Sequence, residues 1–240
     1  MTDPRFSILT LLLLPLMAIW LSTSAALAQV TVFAAASTKT ALDDVAARFT
    51  AETGKPVILS YGGSSALARQ IQLQQDGLID ANSRVDLLTN QLVLVAHGAD
   101  APQLDLATTN LAQLLGERWL AMALVDAVPA GIYGKTALTA LGQWADLSPR
   151  VAQSANVRAA LALVATGEAA FGVVYATDAA AEEAVSVVAS FPMDSHAPIV
   201  YPLAMVATST NSSAPDFLAY LKHDDSKKIF VRHGFGVAGK

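Results

Sequence analysis

Val30-Thr31-Val32-Phe33-Ala34-Ala35-Ala36-Ser37, followed by Thr38 to Gly54, decides how this chain folds. An apolar run of β type stops at small residues, and Ser37 then opens a helical pattern with Leu42, Val45, Ala46 and Phe49 on one face. Those positions keep the three- and four-residue spacing that a helix face requires, and Gly54 stands where a left-handed residue ends such a helix. A strand that runs through Ala-Ala-Ser into a helix N-terminus turns backbone N–H groups and a hydroxyl toward one region. That arrangement accepts an anion without any basic side chain. A single Ser at a helix start more often caps the helix and does nothing else. The anion reading gains weight because the same opening recurs.

Val57-Ile58-Leu59-Ser60-Tyr61 leads into Gly62-Gly63-Ser64-Ser65 and a helical stretch over 66–75, with Ser64 either an ordinary N-cap or a ligand hydroxyl beside closely approaching backbone. Trp119 to Val125 is a further strand; it enters Asp126-Ala127-Val128-Pro129-Ala130-Gly131 and a helix to Leu141. Pro129 suits a first helical position, and Ala130 and Gly131 are small enough to leave their N–H groups open. Ser154-Ala155-Asn156-Val157 opens another helix, with Val157, Leu161 and Val164 on one face and Gly167 at its end. Phe171-Gly172-Val173-Val174-Tyr175 is a strand ending in a phenol beside Thr177 and Asp178. Tyr175 reads either as a core aromatic or as a hydroxyl donor at the sheet edge where α/β proteins place ligands.

Between these openings, Asp76 to Asn90 is polar and weakly helical in pattern, and Gln91 to Ala96 is a buried strand carrying the chain into a second domain. A short helix is expected around Leu111 to Leu115, strands at Val185 to Ser190 and Ile199 to Val206, and closing helices over Pro215 to His223 and Ser226 to His233. The alternation of strand and helix predicts α/β layers with mostly parallel sheets.

Composition narrows the function. Arg5 precedes the apolar run Leu11 to Leu21, and Ala26-Leu27-Ala28 before Gln29 has the form of a signal-peptidase site. Residues 1–28 therefore read as a signal peptide cleaved after Ala28, and the mature chain as a soluble protein of a bacterial periplasm. The sequence contains no cysteine, which excludes disulfides, a thiol site and a lipid anchor on an N-terminal Cys. The formal charge is -5 with 15% charged residues and no run of Lys and Arg, which argues against nucleic acid. An anion must then be held by local dipoles and not by the overall field. His97, His196, His223 and His233 are scattered without metal-ligand spacing, so no metal is expected to be bound directly by protein side chains.

Two motifs invite other readings. Gly131-Ile132-Tyr133-Gly134-Lys135-Thr136 ends like a phosphate loop, but the motif's first glycine would fall on Pro129, which has no N–H to give. Gly62-Gly63-Ser64-Ser65-Ala66 fails the nucleophile-elbow pattern at its last position. An exported hydrolase using Ser37 or Ser64 would need a His within hydrogen-bond reach of that hydroxyl. Nothing in the sequence supports catalysis, a cofactor or more than a monomer.

Taken together, Ala34-Ala35-Ala36-Ser37, Ser64-Ser65-Ala66-Leu67-Ala68-Arg69-Gln70, Val128-Pro129-Ala130-Gly131-Ile132-Tyr133, Val157-Arg158-Ala159-Ala160-Leu161-Ala162-Leu163-Val164 and Gly172-Val173-Val174-Tyr175-Ala176-Thr177-Asp178-Ala179 resemble one family, as do Phe191-Pro192-Met193-Asp194-Ser195-His196 and Tyr201-Pro202. It is the periplasmic molybdate-binding proteins of ABC importers, and the resemblance spans nearly all of the mature chain. It implies a two-lobed periplasmic-binding-protein fold of type II, closing on a tetrahedral oxyanion and delivering it to an inner-membrane permease. Molybdate is the implied ligand, with tungstate as an equal in charge and near-equal in size, and sulfate as the nearest competitor. Carried onto matching positions, Ser37 and Ser64 act from the first lobe. Ala130 and Val157 give backbone N–H groups from the second, and Tyr175 gives its hydroxyl. The lobes are expected over 29–90 plus 199–240 and over 91–198.

One departure stands out. The family continues after its Leu-Ala-Arg-Gln helix with Gly-Ala-Pro-Ala-Asp and a strand ending in Ser-Ala-Asp. Here Ile71-Gln72 runs almost directly into Leu73-Gln74-Gln75-Asp76-Gly77-Leu78-Ile79-Asp80. The first lobe is thus expected to lack a central strand, and the alternative functions are a degenerate paralogue with impaired binding or a receptor for another tetrahedral oxyanion such as sulfate.

Overall fold

In a computed structural model of the chain, residues 29–63, 77, 79–98 and 100–239 are described. The opening stretch folds as its pattern requires. Strand β1 (Val30–Ala35) passes through a single 3-10 turn, Ala36–Thr38, into helix α1 (Lys39–Thr53), and β2 (Val57–Gly62) returns parallel to β1 with Val30 opposite Val57. Leu42, Val45, Ala46 and Phe49 are buried on one face of α1. Gly54 ends the helix at φ 71°, a left-handed conformation that costs glycine little, and donates its N–H to the Thr50 carbonyl.

Strand β3 occupies Ile79–Asn90, where the sequence pattern predicts weak helix. The apolar residues there do not alternate, because the ladder to β9 (Ile199–Val206) shifts register between Asp80 and Val85 and again between Asp86 and Leu88. Irregular strands of this kind lose the two-residue period from which strands are recognised. The chain then continues through β4 (Leu92–His97), α2 (Leu111–Leu115), β5 (Leu120–Ala123), α3 (Pro129–Ala140), α4 (Trp144–Leu147), β6 (Val151–Ser154) and α5 (Val157–Ala165). It closes with β7 (Phe171–Tyr175), α6 (Ala176–Ala179), β8 (Val185–Ser190), β9, α7 (Ala214–Lys222), α8 (Asp224–Arg232) and β10 (Gly236–Val237). The helix expected over 66–75 lies outside the described residues.

Three sheets form among the described residues: β1-β2, β10-β3-β9 and the five-stranded β6-β5-β7-β4-β8. The expectation of mostly parallel sheets does not hold. β1–β2, β5–β6 and β5–β7 are parallel, whereas β3 and β4 pair antiparallel with both of their neighbours. The reason is topological: β3 and β9 carry the chain toward and back from the five-stranded sheet, so they run in opposite directions. This is a mixed α/β, two-lobed fold. One apolar core gathers Val30 to Leu88 with Phe217 to Phe235; the other runs from Leu92 to Ile199, and Tyr201 packs against both. In the first core Phe49 meets Phe217 and Tyr220 edge-on, with ring centres 5.0 and 5.1 Å apart.

Candidate ligand-binding cleft

The cleft between the two cores is made by chain reversals, each with a local cause. At the end of β1, Ser37 sits inside the 3-10 turn and is not the helix cap; the N-cap of that turn is Ala35, whose carbonyl accepts from the Thr38 hydroxyl at 2.8 Å. At the end of β2, Gly62 and Gly63 supply bare backbone. Pro129 is the first residue of α3, so its missing N–H costs nothing, and Ile132 is the first residue to donate back, to Val128 at 2.9 Å. Ala130 and Gly131 are therefore left with N–H groups outside the helical ladder. In α5 the N-cap is Asn156, whose side chain accepts from Ala159 N–H at 3.0 Å, while Ala160 donates to the Asn156 carbonyl. Val157 and Arg158 keep the unpaired N–H groups of the first turn.

Ala36, Ser37, Gly62, Gly63, Val128, Ala130, Asn156, Val157 and Tyr175 line one small cleft. Four of the five site positions read from the sequence, Ser37, Ala130, Val157 and Tyr175, thus come together, and the fifth, Ser64, lies outside the described residues. No Lys, Arg, Asp or Glu is among those lining residues. The polar groups the cleft presents are hydroxyls and helix-start amides, backed by the positive ends of two helix dipoles. Tyr175 is 5% exposed, and burial, with the nearby Tyr201, Tyr133 and Asp178 adding to it, holds its phenol well above the usual tyrosine range. It is a proton donor at any physiological pH. Among the described residues no histidine hydrogen-bonds Ser37, whose hydroxyl meets Tyr201, and no group of acidic, His or Cys side chains has the makings of a metal site.

Two features missed by the sequence reading hold the cleft in shape. The carboxylate of Asp178 is fully buried; it accepts from Arg158 Nε at 2.5 Å and from the Tyr175 N–H at 3.3 Å, tying two cleft-lining segments together. Arg158 Nη2 also donates to Thr40 Oγ1 at 3.2 Å, which bridges α5 of one core to α1 of the other. Arg158 and Asp178 stood within the quoted family segments, but their pairing has no local sequence signal. The second feature is a chain of hydrogen bonds behind Ser37. Tyr201 OH lies 3.0 Å from Ser37 Oγ, and Asn90 Nδ2 donates to Tyr201 OH at 3.0 Å and to Thr177 Oγ1 at 2.8 Å.

A two-lobed α/β fold with a polar, uncharged cleft between its lobes defines a solute-binding protein. A sequence model described as "bacterial extracellular solute-binding protein" matches residues 30–74 and 71–236. The molybdate-binding protein ModA of Escherichia coli strain K12 is 41% identical over 230 residues, covering 87% of this chain and 89% of that protein. ModA of Haemophilus influenzae is 38% identical over 233 residues, covering 89% and 92%. The periplasmic molybdate-binding protein of Azotobacter vinelandii superposes with a TM-score of 0.73 at 23% identity, covering 86% of this chain and 98% of that one, a likeness of fold. The chain belongs to the bacterial extracellular solute-binding proteins of ABC importers and is closely related to the ModA proteins. It is a transport component that works outside the cytoplasm, and not an enzyme.

Proposed function

We propose that the chain is a periplasmic receptor that closes on molybdate, and equally on tungstate, and hands it to an inner-membrane ABC permease. The observation that carries this reading is the convergence of Ser37, Ala130, Val157 and Tyr175 on one cleft lined by neutral groups. Two hydroxyls and two helix-start amides suit an ion that is fully deprotonated and needs donors on every side. Ser64 is proposed as a further donor from the first lobe. The names of the E. coli and H. influenzae relatives point to the same ligand. Lobe boundaries at 29–90 plus 199–240 and 91–198 are proposed with it, and the two separate cores support a division of this kind. Cleavage after Ala28 and a monomeric mature chain complete the proposal.

Titration calorimetry of the mature chain with molybdate, tungstate, sulfate and phosphate tests it. Tight binding of the first two and weak binding of the others is expected. No heat with molybdate beside clear binding of another solute rejects the assignment. A second reading, a degenerate paralogue that no longer closes on a ligand, draws on the separation, among the described residues, of β1-β2 from β10-β3-β9 and on the family match breaking into two pieces at residues 71–74. A cooperative melt raised by molybdate rules that reading out, because only a ligand that binds the folded state shifts the melting point upward.

A further inference from the structure

The hydrogen bonds behind Ser37 have a direction that can be deduced. Asn90 Oδ1 accepts the backbone N–H of Gln91 at 2.9 Å, which fixes the orientation of the amide and leaves Nδ2 on the other side. Nδ2 has two protons, and it gives one to Thr177 Oγ1 and one to Tyr201 OH. Tyr201 OH, already accepting, turns its own proton toward Ser37 Oγ, 3.0 Å away. Ser37 Oγ then accepts from behind, and its own proton is free to point into the cleft. Burial raises the Tyr201 phenol far above neutrality, so the proton in the middle of this chain is not lost.

We propose that Asn90 and Tyr201 are positioning residues that fix the Ser37 hydroxyl as a donor toward a bound oxyanion. The proposal rests on the functional reading above and deepens it, because it concerns which protonation state of an oxyanion the cleft takes. With Ser37 held as a donor, its side of the cleft suits a bare dianion and disfavours the hydroxyl of hydrogen phosphate, a buried group that needs an acceptor. Asn90 ends β3 and Tyr201 lies on β9, the two strands that join the lobes, so the donor is set from the hinge.

Tyr201→Phe keeps the ring and removes the link, after which Ser37 is free to rotate and to accept. Calorimetry with molybdate and with hydrogen phosphate at pH 8 reads the result. The ratio of the phosphate to the molybdate dissociation constant is expected to fall about tenfold in the variant, the worth of one buried hydrogen bond. A ratio within twofold of the parent overturns the proposal, even when both affinities drop together, since a loss of packing alone weakens both ligands alike. The side-chain amide of Asn90, followed by NMR in the ligand-free protein, gives a readout that needs no anion. Its proton shifts are expected to move in Ser37→Ala, through Tyr201, and unmoved shifts also overturn the proposal. Absence of molybdate binding by the parent protein would remove the functional reading alone, and the relay would then stand or fall by the NMR result.

Discussion

Gly63 at the end of β2 faces the backbone carbonyl of Ala155 across the cleft so closely that a β-carbon built on it would lie 2.5 Å from that oxygen. Gly63 follows a strand of the first core and Ala155 precedes a helix of the second, so this is where the two halves touch backbone to backbone. Neither group is the flexible end of a side chain, and neither can yield without moving a lobe.

Gly63→Ala is therefore expected to hold the lobes apart. The dissociation constant for molybdate should rise by tenfold or more, corresponding to about 1.4 kcal/mol per factor of ten. The melting temperature without ligand should change less than the affinity, since lobes held slightly apart each keep their own core. Calorimetry and a thermal melt, run side by side, check both halves of the statement.

Tyr175→Phe removes a hydroxyl from the cleft and leaves the ring in its packing against Tyr201, 6.2 Å away between ring centres. A hydrogen bond to a charged partner is worth about 1–3 kcal/mol, so affinity should fall roughly 5- to 150-fold. An unchanged dissociation constant takes Tyr175 out of the site.

Val157→Pro addresses a backbone donor directly. Val157 is the first residue of α5, and Asn156 before it is extended at φ -158° and ψ 171°, a conformation that proline tolerates in its predecessor. The substitution deletes one N–H with little strain on the helix. Molybdate affinity should fall by about 1–3 kcal/mol while the circular dichroism spectrum is preserved.

Asp178 gives a pH signature. Burial raises its carboxyl from 3.8 to about 6, although the charge of Arg158, the bond from Arg158 and the Tyr175 N–H all pull it down. The folded chain thus holds this proton more tightly than the unfolded one. The resulting stabilisation is complete below about pH 4 and is lost as pH rises through about 6. Asp178→Asn cannot titrate. The stability of the parent relative to this variant should therefore decline by up to about 3 kcal/mol between pH 4 and pH 7. Urea unfolding of both proteins at several pH values measures it, and a difference that grows with pH contradicts it.

Much of this molecule was legible in its sequence, for definite reasons. The helix from Lys39 to Thr53 follows from the spacing of Leu42, Val45, Ala46 and Phe49 and from Gly54, all local signals. The openings at Ala130 and Val157 follow from Pro129 and from a capping side chain, which turned out to be that of Asn156. β3 was hidden because its register shifts scramble the alternation that marks a strand. The supports of the cleft were hidden for another reason. Asn90 reaches Tyr201 across 111 positions and Arg158 reaches Thr40 across 118, and no periodicity announces contacts made only by the tertiary fold.

The separation of β1-β2 from β10-β3-β9 among the described residues leaves β1, which leads to Ser37, without a backbone ladder to the strands that hold Tyr201. Phe33 on that strand is 54% exposed, and among the described residues the strand's backbone is paired on one side only, with β2. Amide exchange with deuterated solvent should accordingly be uneven. Protons in β1 should be replaced well before those of β4 and β7, which sit inside the five-stranded sheet. One wall of the cleft is then a slab stiffened from within, and the other, among the described residues, is a pair of ribbons with no ladder in common.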